Sequence, residues 1–204
     1  MGIFWRRSEP IETDDTLLCR MMAGDEQAFA RLYERRHPDV YRFALRMSGS
    51  QAIAEDVAQE VFLTLIQSGG KFDPSRGTVQ GYLLGIARYR VLHRLAQDRT
   101  YVSLETPLDT GEEVPEAYRV NHRNPLADLT HSEMIEQIQQ AVLGLPPHYR
   151  EVVVLCNMEE LSYEAAADIL DCPVGTVRSR LNRARSLLQQ KLSSLAVQSS
   201  SLGS

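Results

Sequence analysis

The stretch Leu161-Ser162-Tyr163-Glu164-Ala165-Ala166-Ala167-Asp168-Ile169-Leu170-Asp171-Cys172-Pro173-Val174-Gly175-Thr176-Val177-Arg178-Ser179-Arg180-Leu181 sets the reading of the whole chain. It describes a short helix of small residues, a tight turn and a second helix begun by Pro173. A proline is well placed there, because a first helical N–H has no partner to lose. Ala165, Ala166 and Ala167 let the two helices approach closely. At about 100° per residue, Val174, Val177, Leu181, Ala184 and Leu188 fall on one arc of the second helix. Arg178, Ser179, Asn182 and Arg183 fall on the opposite arc, with Gly175 and Arg185 at its margins. Arginine pairs in bidentate fashion with guanine and asparagine with adenine on major-groove base edges. The N-terminal half of such a helix is the part that enters the groove. An exposed basic face on an ordinary bundle helix would account for the charges alone. The preceding turn, the missing acids and the polar arc together favour a helix-turn-helix that reads duplex DNA.

The charge distribution agrees, although the total does not. The 204 residues carry 22 basic and 27 acidic side chains, a formal charge of −5. From Val174 to Leu192 there are five basic residues and no acid. From Lys71 to Arg99 six basic residues face only Asp73 and Asp98. Between these segments, from Thr100 to Pro173, fourteen acids face three arginines. Two basic stretches separated by an acidic one match two nucleic-acid footprints with a repelling spacer.

Outward from this segment the apolar period is helical nearly everywhere, and no strong strand pattern occurs. Asp14 to Ala23 reads as a helix stopped by Gly24. Asp25 caps the next helix, which should be disturbed at His37-Pro38 and end near Ser48-Gly49. Ser50 caps a helix reaching Gln67 and closed by Gly69-Gly70. Lys71 to Gly77 is a turn-rich loop, and 78–97 is helical again. Periodicity is then lost to about Asp128, in a stretch with Pro107, Gly111, Pro115 and Pro125, and resumes at the capping box Thr130-His131-Ser132-Glu133. That helix breaks at Pro146-Pro147, and helices over 148–157, 162–170 and 173–192 follow. The expected architecture is all-α: two small helical domains joined by a flexible acidic linker, the second containing the helix-turn-helix. The boundaries are an extension over 1–13, a first unit over 14–99, a linker over 100–129, a second unit over 130–192 and a frayed tail over 193–204.

Several classes of protein are set aside. No apolar run approaches the roughly 20 residues of a membrane span, and the start Met1-Gly2-Ile3-Phe4-Trp5-Arg6-Arg7 is no secretory signal. Cys19, Cys156 and Cys172 are odd in number and lack a Cys-x-x-Cys pair, which favours reduced thiols in a cytoplasm, each a small buried hydrophobe. No metal spacing, phosphate loop or nucleophile motif is present, so neither a catalytic site, a metal, a cofactor nor a small-molecule substrate is expected. His148 and Tyr149 read as helix-start and core residues.

The first unit holds two candidate surfaces. On the 50–67 helix, Ile53, Val57, Ala58, Val61, Phe62 and Leu65 form a broad buried stripe. The remaining arc, Asp56, Gln59, Glu60 and Leu63, has an acidic rim around an apolar centre, as partner surfaces do. On the 78–97 helix, Val79, Leu83, Leu84, Ala87, Val91 and Leu95 supply one core face. Tyr82, Ile86, Tyr89 and His93 make a second stripe beside Arg90 and Arg94, with Arg88 across the helix. Aromatic faces beside cations suit unpaired bases, and Tyr89 and His93 are the better candidates, with Tyr82 equally suited to the core.

The chain resembles an extracytoplasmic-function sigma factor, the two-domain class of bacterial RNA polymerase initiation factors. The resemblance rests on Asp56-Val57-Ala58-Gln59-Glu60-Val61-Phe62, Phe72-Asp73-Pro74-Ser75-Arg76-Gly77, Ile86-Ala87-Arg88, Leu145-Pro146-Pro147-His148-Tyr149-Arg150-Glu151-Val152 and the run Leu161 to Arg185. It implies that Asp56, Gln59, Glu60 and Leu63 dock on the clamp coiled coil of the core RNA polymerase large subunit. It implies that Arg76, Tyr82, Arg88, Tyr89, Arg90 and His93 hold the melted −10 strand, and that Thr176, Arg178, Ser179, Asn182 and Arg183 read the −35 element as duplex. The acidic linker would thread toward the active-site and RNA-exit channel, and a separate anti-sigma factor would mask the polymerase-facing surfaces. Two tethered DNA contacts make the second binding event intramolecular. The sequence departs from many family members at Tyr82, Tyr89 and His93, where Trp, Asn and Asp or Asn are common. The alternative is a stand-alone helix-turn-helix regulator whose first unit senses a ligand or dimerises. Such a protein needs neither the 55–60 acidic patch nor a second basic helix.

Overall fold

In the computed structural model, residues 12–68, 72–102 and 131–201 are described. They form α1 (Asp14–Met22), α2 (Glu26–Ser48), α3 (Gln51–Ser68), a single 3-10 turn (Pro74–Arg76), α4 (Val79–Val102), α5 (His131–Leu143), α6 (Pro147–Val153), a π turn (Val154–Met158), α7 (Tyr163–Leu170) and α8 (Val174–Ser201). Among the described residues the architecture is wholly helical. The linker beyond Val102, the Gly69-Gly70 stop, Thr130 of the capping box and the extension before Glu12 lie outside them.

Local chemistry places the helix ends. Asp25 accepts from the N–H groups of Gln27 and Ala28 at 2.9 and 3.1 Å and starts α2. Gly49 ends it at φ +71°, with its N–H on Leu45 O at 2.7 Å. A side chain at Gly49 would be strained by that conformation, and its Cβ, 2.8 Å from Leu143 Cδ1 of α5, would force the leucine to shift. Ser162 caps α7 through the Ala165 N–H at 3.1 Å.

Several expectations change. The break at His37-Pro38 does not occur: α2 runs unbroken through Pro38. Pro38 lies on the exposed side, while Leu32 before it and Val40 and Phe43 after it sit in the same core, so packing holds both halves in line. The helix expected over 148–157 is α6 followed by the π turn, closed by the Glu159 N–H on Val154 O at 2.9 Å. Glu160, at φ +55°, then turns the chain into α7. Finally, α4 and α8 pass their expected ends at Gln97 and Leu192. Neither extension contains the glycine or proline that would stop it. Cys19 is exposed, not buried; Cys156 and Cys172 are half-buried, as is Tyr149, and His148 is exposed.

The buried side chains of the two helical units join in one apolar cluster. It runs from Leu17, Leu32, Phe43 and Met47 through Val57, Leu83 and Val91 to Val152, Leu155, Leu181 and Ala184. Arg150 of α6, 2% exposed, sits at the junction. Its guanidinium donates to Met47 O at the end of α2 (2.5 Å), to Leu145 O (3.0 Å) and to Leu143 O. Each is a carbonyl at or just past a helix end, where the last C=O groups lack an intrahelical donor. Replacing Arg150 with Met should keep the stem packed but strand these carbonyls, costing on the order of 3 kcal/mol in urea denaturation.

Candidate nucleic-acid interface

The recognition helix forms as its pattern requires. Val177, Leu181 and Ala184 are buried, whereas Arg178, Ser179, Asn182 and Arg183 are exposed along one side. Thr176 is half-buried in the first turn; its N–H bonds Pro173 O at 2.8 Å and its carbonyl accepts from Ser179 Oγ at 3.0 Å. Asp171 takes the left-handed conformation (φ +49°) that ends α7 and turns the chain toward Pro173. The Arg178 guanidinium lies over the Tyr163 ring, 5.7 Å from its centre. Tyr163, in the quoted stretch but not among the expected site residues, thus restrains one of the two arginines expected to read bases.

The second set lies on α4. Tyr89 is 65% exposed, and its ring stacks on that of His93 with centroids 6.2 Å apart and planes 21° from parallel. This leaves an aromatic surface open to an unpaired base. Tyr82 is half-buried, tilted against Phe72 at 5.6 Å, so the core takes most of its face. Arg76 is exposed in the 3-10 turn. That turn is held by Asp73, whose carboxylate accepts from the Ser75 N–H at 2.9 Å and its hydroxyl at 2.7 Å, and is kept well below the usual carboxylate range by them.

The remaining arginines of this set are engaged. Arg90 faces Glu60 at 3.5 Å and donates to Thr64 Oγ1 at 3.4 Å. Arg94, which adjoined the expected set, bonds Asp56 at 2.7 Å and also Glu60. The acidic arc of α3 and the basic edge of α4 therefore form one ion-pair cluster, not two separate surfaces. Arg88 lies across α4 and is held by Glu151 of α6, with Nε–Oε1 at 2.8 Å and Nη2–Oε2 at 3.5 Å.

On α3, Gln59 and Asp56 are exposed, Glu60 is half-buried, and Leu63 is 56% exposed. Ile66, three residues on, is 55% exposed and doubles the apolar centre of that arc. Its i, i+3 spacing from Leu63 was available in the sequence. The loop carrying Arg76 faces the α7–α8 turn across an open cleft of about 1000 Å³, lined by Arg76, Gly77, Asp168, Asp171 and Pro173 among others. Among the described residues no group of His, Cys, Asp and Glu could hold a metal, and no helix is long and apolar enough to cross a membrane.

Two protein families match this arrangement: Sigma-70 region 2 over residues 32–100 and Sigma-70 region 4 over residues 135–188. The ECF RNA polymerase sigma factor SigW of Bacillus subtilis is 32% identical over 174 residues, 84% of this chain and 92% of that protein. The chain belongs to the extracytoplasmic-function sigma factors. It is by that membership a transcription-initiation factor, with region two matched from within α2 through α4 and region four from α5 into α8. ECF RNA polymerase sigma factor SigE of Mycolicibacterium smegmatis is 36% identical over 172 residues, and the match spans 83% of this chain and 64% of that protein. The fold is shared with CnrH, solved in complex with the cytosolic domain of CnrY (TM-score 0.62, 20% identity, 90% of this chain and 99% of that one). It is also shared with the sigma factor RpoE of Bartonella quintana, solved with the anti-sigma factor NepR (TM-score 0.59, 23% identity, 81% and 96%).

Regions two and four of this sigma factor also meet through a second ion pair. Glu159, whose side chain is 3% exposed, bonds Arg46 of α2 at 2.6 Å and faces Arg42 at 3.9 Å. Burial pushes its carboxyl above the usual glutamate range, outweighing Arg46 and Arg42, while nearby Asp39 adds to the rise. Because the folded chain holds this proton more tightly than the unfolded one, its contribution to stability improves as pH falls from neutrality through the raised value. A carbon-13 titration should place the Glu159 midpoint above the ordinary glutamate value, and Glu159→Gln should flatten the pH dependence of stability in that window.

Proposed function

We propose that this sigma factor binds core RNA polymerase through the Asp56, Gln59, Glu60, Leu63 and Ile66 face of α3. On that platform it reads the −35 element as duplex with Thr176, Arg178, Ser179, Asn182 and Arg183. It holds the melted −10 strand with Arg76, Tyr89, Arg90 and His93, with Arg88 joining once free of Glu151 and Tyr82 backing the loop through Phe72. The observation that carries this reading is the exposed, acid-free arc of α8 behind a capped helix-turn-helix. The exposed Tyr89–His93 stack supplies the complementary surface for an unpaired base. The protein works in the cytoplasm, without catalysis, cofactor or small-molecule substrate of its own, and without inserting into a membrane.

The residues between the two regions form the acidic connector that allows both contacts at once. The fold is shared with a sigma factor solved with the anti-sigma factor NepR, and an anti-sigma factor is accordingly the expected regulator here. A stand-alone regulator with the same helix-turn-helix would bind its operator unaided, whereas this chain is expected to select start sites only with core polymerase. Sequencing transcripts made in vitro by core polymerase with and without the chain decides between them.

Arg178→Ala or Arg183→Ala should each cost about 1–3 kcal/mol in promoter affinity and relax base preference at one position of the −35 element. Run-off transcription from a set of single-base promoter variants measures both effects. Leu63→Glu combined with Ile66→Glu should abolish co-purification with core polymerase while far-UV circular dichroism stays unchanged, since both side chains are more than half exposed.

A further inference from the structure

Three arginines on the region-two side face acids from region four. Arg88 receives Glu151 at 2.8 Å, Arg46 receives Glu159 at 2.6 Å, and Arg76 lines the cleft that Asp168 and Asp171 line from the other side. Both glutamates are 3% exposed at the side chain; Glu151 lies on α6 and Glu159 directly follows the π turn that continues it. Eight residues separate them, roughly 12 Å at helical rise. That is the axial span of a few nucleotides of one strand. Arg46 also donates to Met158 O at 2.9 Å, so the π turn presents it with a carbonyl as well as a carboxylate. A guanidinium with two oxygens before it is arranged as it would be on a phosphodiester.

We propose that Arg46 belongs to the single-strand-binding surface together with Arg88, and that Glu151 and Glu159 occupy the positions of DNA phosphates in the closed chain. The ligand is the sugar-phosphate backbone of single-stranded DNA, contacted without base preference. Region four must move off α2 and α4 before the strand can enter. This rests on α4 being the strand-holding helix, and it adds α2 to that surface. The closed state suits such exchange energetically. A buried ion pair recovers little more than the desolvation of its two members, so it fixes register more than it adds stability. When the interface opens, both carboxylates regain water and both guanidiniums gain phosphate. Arg42 is a lesser contributor, because it keeps Asp39 at 2.6 Å when Glu159 leaves.

The test uses the full chain and a fluorescein-labelled twelve-residue thymidylate oligonucleotide at several salt concentrations. Glu151→Gln with Glu159→Gln removes both mimics at constant shape. This double variant should bind the oligonucleotide roughly tenfold more tightly than the wild type, with a steeper salt dependence. Adding Arg46→Ala should reverse part of the gain and reduce the salt slope by about one. In the wild-type chain, saturating oligonucleotide should speed amide exchange in α6 while protecting α4. That measurement stands even if the double variant fails to fold.

The proposal is overturned if a folded double variant binds no more tightly than wild type, or if Arg46→Ala leaves affinity and slope unchanged. It is equally overturned if α6 exchange is unaltered at saturation, or if no chain binds the oligonucleotide at low salt. Co-purification of the same proteins with core polymerase separates the two readings. Intact polymerase binding with a failed strand assay removes this inference alone, whereas loss of both in the wild type removes the proposed function.

Discussion

The guanidinium of Arg150 is the point on which the two regions of this sigma factor depend. It is almost fully buried and satisfies carbonyls at the ends of two different helices, one in each region. A charge so placed is tolerated only where several oxygens converge on it. Those oxygens converge only if α2 ends at Ser48, α5 ends at Leu143 and α6 begins immediately after Pro146. Gly49 meets this condition by turning in the left-handed region and by having no side chain to displace Leu143. The apolar cluster shared by the two regions then follows from helix ends already held together.

The π turn after α6 has a comparable role at the other end of the interface. A hydrogen bond that spans one residue more than in an α-helix widens the turn and changes the direction in which the following side chain leaves. Here it sets Glu159 against Arg46 and Arg42, and Glu160 in its left-handed conformation redirects the chain into the helix-turn-helix. The orientation of α8 relative to region two is thereby tied to a local widening of the helix that precedes the helix-turn-helix.

Much of this was legible in the amino-acid order because it depends on neighbours within a few residues. The buried arc of α8, the cap at Asp25 and the stop at Gly49 each follow from periodicity or from one residue's conformational preference. The ion pairs were not legible in that way. Arg46 and Glu159 are 113 residues apart, and Arg94 and Asp56 are 38 apart; helical spacing says which face a side chain occupies, not which helix faces it. Pro38 misled for the same reason, since a local breaker was overridden by core contacts on both of its flanks. The resemblance conveyed roles for both faces of region two but not their physical union across α3 and α4.

That union has a thermodynamic corollary. Asp56 and Glu60 engage Arg94, and Glu60 also faces Arg90, so a protein partner that draws the two carboxylates to itself releases two guanidiniums on the neighbouring helix. Reciprocity then requires that nucleic acid drawn to those guanidiniums frees the carboxylates for the partner, by the same factor. On the proposed roles, assembly on the enzyme and capture of the opened strand would reinforce each other, with four side chains acting as the relay.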